Sequence, residues 1–145
     1  MYASFFTTRL VALAAIASVV SGQGLPAGCD RNATVQSGDT CDAISAMYNV
    51  STYQLATVNS GIIDPDCDNL FIGEVLCLGI SGQDCDVTYV MQTGDTCQSV
   101  ANAADIPIST LLANNPNVNT NCTNAYAGEV LCTASQIYVN TTQSG

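Results

Sequence analysis

The chain has 145 residues, twelve acidic side chains against two basic ones, no histidine and a formal net charge of -10. There is no lysine, and Arg31 is the only basic side chain outside the N-terminal leader, so nucleic acid and anionic membrane are poor partners. The acids are dispersed rather than blocked, as suits the solubility of a secreted protein, and without histidine there is no Ser-His pair.

In chain order, Arg9 precedes an apolar run over residues 10–20, then the small residues Ser21 and Gly22. This is the pattern of a secretory signal peptide over residues 1–22, with cleavage near Gly22 or Gly24. The run is too short to cross a hydrocarbon core of about 30 Å. The tail, residues 134–145, is polar, and no lipid anchor is expected. The protein is therefore expected outside the cell.

Beyond the leader the chain repeats itself. The stretch Thr34-Val35-Gln36-Ser37-Gly38-Asp39-Thr40-Cys41 returns before Cys97 as Val90-Met91-Gln92-Thr93-Gly94-Asp95-Thr96. The eight cysteines form two sets, Cys29, Cys41, Cys67, Cys77 and Cys85, Cys97, Cys122, Cys132, spaced 12, 26, 10 and 12, 25, 10. The offset between copies is 56 up to Asn59 and Asn115 and 55 by Cys67, which puts a one-residue length change in a loop before the third cysteine. Two small folding units are expected, over residues 29–78 and 85–133, with a short linker at 79–84. Units of about 50 residues bury little core, and four cysteines each supply covalent help in a secreted chain. Zinc is disfavoured because there is neither histidine nor Cys-x-x-Cys, and no metal or cofactor is expected. Three pairings per unit stay open. Position suggests Cys29 with Cys77 across the strand ends and Cys41 with Cys67 at the other end, without deciding it.

Within a unit, Ala33 and Val35, with Thr88 and Val90 in the second copy, sit in short β-favouring runs. Ser37-Gly38 and Thr93-Gly94 end these runs in a turn. Asp39 or Thr40, and Asp95 or Thr96, can cap the helix that comes next. Cys41, Ile44, Ser45 and Tyr48 recur at helical spacing, as do Cys97, Val100, Ala101 and Ala104. A second short helix is expected after Ser51, and another around Pro107, which suits a first helical turn. Asn59-Ser60-Gly61 and Asn115-Pro116-Asn117 stop these helices. Residues 70–77 and 125–132, sharing Gly-Glu-Val-Leu-Cys, alternate like half-buried strands. The unit is an α+β βααβ arrangement whose two strands pair antiparallel.

The Gly-Asp-Thr-Cys turn, the central Asn-(Ser/Pro)-(Gly/Asn)-(Ile/Val) and the closing Gly-Glu-Val-Leu-Cys resemble the lysin motif (LysM), in both copies and over nearly the whole mature chain. A short secreted chain made only of such repeats resembles the fungal LysM effectors. The resemblance implies tandem βααβ domains that bind N-acetylglucosamine polymers, above all chitin, in a shallow groove between the loop after the first strand and the loop after the second helix. Carried over by position, one groove uses Gly38, Asp39, Thr40, Cys41, Asn59, Ser60, Gly61 and Ile62. The other uses Gly94, Asp95, Thr96, Cys97, Asn115, Pro116, Asn117 and Val118. The first copy departs from the family pattern at Ser60, where the family has proline, and its loop is one residue longer.

The residues are compatible with such a ligand. N-acetylglucosamine is uncharged and offers an amide, hydroxyls and a methyl, and turns rich in Gly, Thr and Asn expose backbone groups to meet them. The same turns also serve as helix caps and stops. Two weak sites gain by avidity, and a ligand shared between molecules implies ligand-induced dimers or longer assemblies. By resemblance the use is hiding chitin fragments from a host receptor or coating the fungal wall against chitinases. An enzyme is not expected: a glycosidase needs paired carboxylates, and the candidates Asp39 with Glu74 and Asp95 with Glu129 lie in repeats with no separate catalytic domain. The remaining alternative is a structural or self-assembling wall protein. Sequons at Asn32, Asn49, Asn121 and Asn140 are candidate glycan sites.

Overall fold

The computed structural model describes residues 24–139; the leader, the end of the tail and the Asn140 sequon lie outside the described residues. The first unit runs β1 (Cys29–Thr34), α1 (Cys41–Tyr48), α2 (Thr52–Val58), β2 (Val75–Ile80). The second runs β3 (Thr88–Val90), α3 (Cys97–Ala104), α4 (Ile108–Asn114), β4 (Val130–Cys132). Each strand pair is antiparallel, β1 with β2 and β3 with β4, so the chain is two successive βααβ units.

The turn before each first helix divides its labour. The Asp39 and Asp95 carboxylates accept from the backbone N–H of Gln36 and Gln92, each at 2.8 Å, and close the turn. The threonines cap the helix: Thr40 Oγ1 accepts from Ala43 N–H at 3.1 Å and Thr96 Oγ1 from Ser99 N–H at 3.0 Å. Ser99 Oγ accepts from Thr96 N–H in return, completing a capping box. Gly38 and Gly94 have φ of +87° and +92°, a region a side chain resists. Ser51 caps α2 by accepting from Gln54 N–H at 3.0 Å. Pro107 stands one place before α4, not inside its first turn.

Three boundaries differ from the sequence reading. The closing strand begins at Val75, not at residue 70. Residues 71–74 instead make a corner, with Glu74 N–H donating to Phe71 O at 3.1 Å and Gly73 N–H to Val35 O at 2.9 Å. The second unit repeats this corner with Glu129 to Tyr126 O and Gly128 to Met91 O. The apolar alternation of Leu70 and Ile72 mimics a strand that the corner forbids. Secondly, Tyr89 and Met91, not Thr88 and Val90, take the places of Ala33 and Val35, since Val35 and Met91 make the same bond to Glu74 O and Glu129 O at 2.8 Å. Thirdly, β2 continues through Gly79 and Ile80.

Each unit has its own small core: Ala33, Val35, Ile44, Val50, Leu55, Ile63, Leu76 and Leu78 in the first, Met91, Val100, Ala101, Ile106, Leu111, Val118 and Leu131 with Cys97 in the second. Tyr48, at the end of the helical spacing, is exposed. The four bridges are Cys29–Cys77, Cys41–Cys67, Cys85–Cys132 and Cys97–Cys122, in the pairing that position suggested. Sequence separations of 48, 26, 47 and 25 residues put each in the range where loop closure contributes on the order of 3–4 kcal/mol. That is large beside what a two-stranded sheet supplies.

A buried asparagine clamps each unit. Asn59 Nδ2 donates to Leu55 O and Cys77 O, both at 2.7 Å, and its Oδ1 accepts from Cys77 N–H at 2.8 Å. Asn115 makes the same three bonds, to Leu111 O, to Cys132 O and from Cys132 N–H. One side chain thus satisfies the end of the second helix and the middle of the closing strand together.

The units are tied to one another. Arg31 forms a two-pronged pair with Asp84, Nε to Oδ2 and Nη2 to Oδ1, each at 2.7 Å. Gln54 donates to Asp84 Oδ1 at 2.8 Å and accepts from Cys85 N–H at 3.0 Å. Asp84 lies so close over β2 that any β-carbon at Gly79 would collide with its carboxylate. Replacing Asn115 by leucine fills the same volume but strands two carbonyls and an N–H in the interior, so unfolding free energy should fall by about 2–4 kcal/mol in urea titration with disulfides intact. A loss under about 0.5 kcal/mol would contradict the clamp.

Candidate functional site

The Cys41–Cys67 bridge brings the start of α1 against the loop that comes after α2. Between them lies a cleft of about 230 Å³, lined by Thr40, Cys41, Asp42, Thr52, Leu55, Ala56, residues 63–67 and, from the second unit, Tyr126. Hydroxyls and carboxylates stand beside apolar carbon there. The loop wall is rigidly framed. Asp64 N–H donates to Asn69 Oδ1, Asp68 N–H to Asp64 Oδ1, and Asn69 Nδ2 to Ile62 O, at 3.0–3.1 Å. The second unit builds the same frame from Asn119, Thr123, Asn124 and Asn117 O. Cys67 and Cys122, at the same place in each loop, share a left-handed backbone, φ 55° and 59°.

The expected groove residues fall into distinct places. Thr40 and Cys41 line the cleft. Gly38 is exposed in the turn and the Asp39 carboxylate is engaged within it. Asn59 is buried as the clamp, while Ser60, Gly61 and Ile62 are exposed and stand outside this cleft's lining. In the second unit Gly94, Thr96 and Pro116 are exposed, Cys97 and Val118 are core, and Asn115 is the second clamp. Asn117 donates to Glu129 Oε2 at 2.7 Å. The extra residue lies between Asn59 and Ile63: the N–H groups of Ile62 and Ile63 both donate to Asn59 O at 2.9 Å, but Ile63 is the buried one, as Val118 is in the second unit, and Ile62 is exposed.

Of the cleft's lining, the sequence reading did not point to Asp42, Thr52, Leu55, Ala56, residues 63–66 or Tyr126. The cysteine spacing held a signal for the loop residues, since whatever neighbours Cys67 must lie near Thr40–Cys41–Asp42 once the bridge forms. Tyr126 had no such signal; it comes from 84 residues away.

The carboxylates differ in state. Bonds from the Tyr89 hydroxyl, at 2.6 Å, and from Gln92 N–H hold Asp95 below the usual carboxylate range. Burial pushes Glu129 up, against bonds from Tyr126 N–H and Asn117. Burial and the Asp42 charge push the Tyr126 phenol up to about 12, so it stays a neutral donor. Among the described residues no group of three or more His, Cys, Asp or Glu side chains could hold a metal ion, and no helix is long and apolar enough to cross a membrane. Asn32, Asn49 and Asn121 are exposed.

Residues 33–79 and 89–133 each match the LysM domain family model. The chain belongs to the LysM family. Its LysM units are similar to those of curated relatives, among them a secreted LysM effector of Pochonia chlamydosporia (strain 123), 28% identical over 87% of this chain and 38% of that protein. The secreted LysM effector LysM1 of Trichophyton rubrum is 27% identical over 75% of this chain and 52% of that protein. The chain therefore spans about half or less of the length of these relatives. A solved structure, the Bacillus megaterium spore cortex-lytic enzyme SleL, aligns with 72% of this chain and 22% of its own at 18% identity and a TM-score of 0.37. That likeness bears on neither fold nor function.

Glu129 gives the second LysM unit a pH dependence. Its folded pKa lies above its ordinary value of 4.5, so the folded state holds the proton more tightly than the unfolded chain. Stability from this group is present below the ordinary value and lost as pH rises through the raised one. Glu129→Gln, which has the size of the protonated acid and, like it, one acceptor oxygen and one donor group (which the Asn117 amide can meet by turning over), should raise the melting temperature at pH 7 and lose that advantage near pH 4, as read by thermal unfolding at both pH values. An advantage that persists unchanged at low pH would contradict the burial argument.

Proposed function

We propose that this chain is a secreted, non-catalytic binder of chitin and related N-acetylglucosamine oligomers. The observation that carries the reading is the Thr40–Cys41–Asp42 helix start bridged to the loop at Cys67, with a cleft between them and the same bridge and loop frame repeated in the second unit. The cleft joins hydroxyl and carboxylate acceptors to the apolar surface of Leu55, Ala56 and Ile63, the mixture that sugar hydroxyls, an acetamide N–H and its methyl require. The relatives' names as secreted LysM effectors, with the apolar leader of this chain, support an extracellular location and a role toward a host. In that role the protein withholds chitin fragments from host receptors or shields the fungal wall from chitinases, and oligomers longer than one site draw two molecules together. Each carboxylate considered for catalysis has a structural partner: Asp39 and Asp95 close turns, Glu74 accepts from Phe71 N–H, and Glu129 accepts from Tyr126 N–H and Asn117.

A second reading, self-assembly as a wall scaffold, is favoured by one observation: Phe71 and Ile72 stand side by side on the first unit's corner, 62% and 66% exposed. Sedimentation separates the two. Association that depends on added chitin oligomer supports the binder, and association indifferent to it supports the scaffold.

The direct test is retention on chitin beads against cellulose and xylan. Selective retention on chitin, changing little between low and moderate salt because the ligand is neutral, is expected. Equal retention on all three would contradict the proposal.

A further inference from the structure

We infer that Tyr126, from the second unit, forms a wall of the first unit's sugar site, so that this site is complete only when the two units are docked. The inference rests on the sugar-binding reading and adds a contact residue to it.

Tyr126 stands on the corner before β4, and that corner is seated on the first unit. Val130 N–H donates to Thr52 Oγ1 at 3.0 Å, and the Tyr126 hydroxyl donates to the Asp42 carboxylate, 3.1 and 3.2 Å from its two oxygens. Both acceptors belong to the first unit's cleft, and the tyrosine ring joins their lining. The ring is not consumed by the docking, for Tyr126 remains 46% exposed. Its own turn is held by Glu129, whose Oε1 accepts from Tyr126 N–H at 3.4 Å. With its hydroxyl fixed at one end and its backbone at the other, the ring is oriented before any ligand arrives. That limits the ordering cost of binding.

The chemistry suits a pyranose. A sugar ring presents an apolar face of C–H bonds, which an aromatic face covers, while its hydroxyls and acetamide look for polar partners at the edge. The cleft otherwise has only small or aliphatic apolar side chains, Leu55, Ala56, Ile63 and Pro65, and Tyr126 is its one aromatic. Ligand sites also favour junctions between folding units.

The two units are unequal in this respect. The first unit's equivalent of Tyr126 is Phe71, at the same corner position, and it projects into solvent. The first groove, which departs from the family pattern at Ser60, is thus the one that gains an aromatic wall.

The test uses the full secreted chain and an oligomer of N-acetylglucosamine. Cross-peaks between the Tyr126 ring protons and sugar ring protons are expected in a NOESY spectrum of the complex. In calorimetry Tyr126→Ala should weaken the first-unit site about tenfold, whereas Tyr126→Phe, which keeps the ring, should stay within about threefold of the parent. Sugar cross-peaks to Thr40 and Asp42 with none to the Tyr126 ring would overturn the inference, even if Tyr126→Ala fails to fold. So would an unchanged affinity in a folded Tyr126→Ala. Wild-type protein that shows neither heat nor cross-peaks with the oligomer would remove the sugar reading itself, and this inference with it.

Discussion

The bridge from the start of the first helix to the loop after the second governs everything the unit can offer a ligand. Cys41–Cys67 and Cys97–Cys122 each span a helical hairpin and lock two otherwise independent backbone segments side by side. A βααβ unit of this size has two strands, two helices of seven or eight residues and few core side chains, too little to hold loop against loop by packing alone. The second bridge, Cys29–Cys77 or Cys85–Cys132, closes the opposite end of the sheet. The buried asparagine lies between them and joins helix to strand in both copies. These constraints hold the cleft's walls in place, as the proposed site for a neutral sugar requires, because it has no charge attraction to compensate for disorder.

Duplication does not make the halves equivalent. Arg31 is used inside the molecule, between the first unit and the residue that leads into the second. Asp84 shows what this contact does: burial raises its pKa, but bonds from Arg31 and Gln54 prevail and hold it below the usual carboxylate range. Docking of the second unit's corner on Asp42 and Thr52 continues the same junction on another side. The short linker and these bonds join the two units, so the lining of the first unit's cleft includes a residue of the second.

Much of this was legible before any coordinates. The βααβ order comes from local signals: β-favouring runs, Gly-Asp-Thr turns and helical spacing from Cys41 to Ser45 are all decided within a few residues. The cysteine period showed the duplication, because eight scattered cysteines would not fall into two sets of nearly equal spacing. The placement of the closing strand was harder, since Leu70 and Ile72 alternate as strand residues do while backbone bonds at Gly73 and Glu74 turn the chain. Asn59 and Asn115 read as helix stops and groove residues, and only the paired strand beside them shows that their side chains face inward. Ile62 looked like the partner of Val118, whereas with the added residue Ile63 takes that buried place in the first unit. Tyr126 could not be read at all, because its place depends on how two folded units meet.

The central claim is that a bridged helix start and loop form one sugar-binding surface. A ¹H–¹⁵N titration of the full chain with a chitin oligomer tests it most directly. The account predicts amide shifts that appear together at Thr40, Cys41 and Asp42 and across residues 63–67, saturating at one ligand concentration. Shifts confined to surfaces away from both, or shifts on one wall without the other, would contradict it.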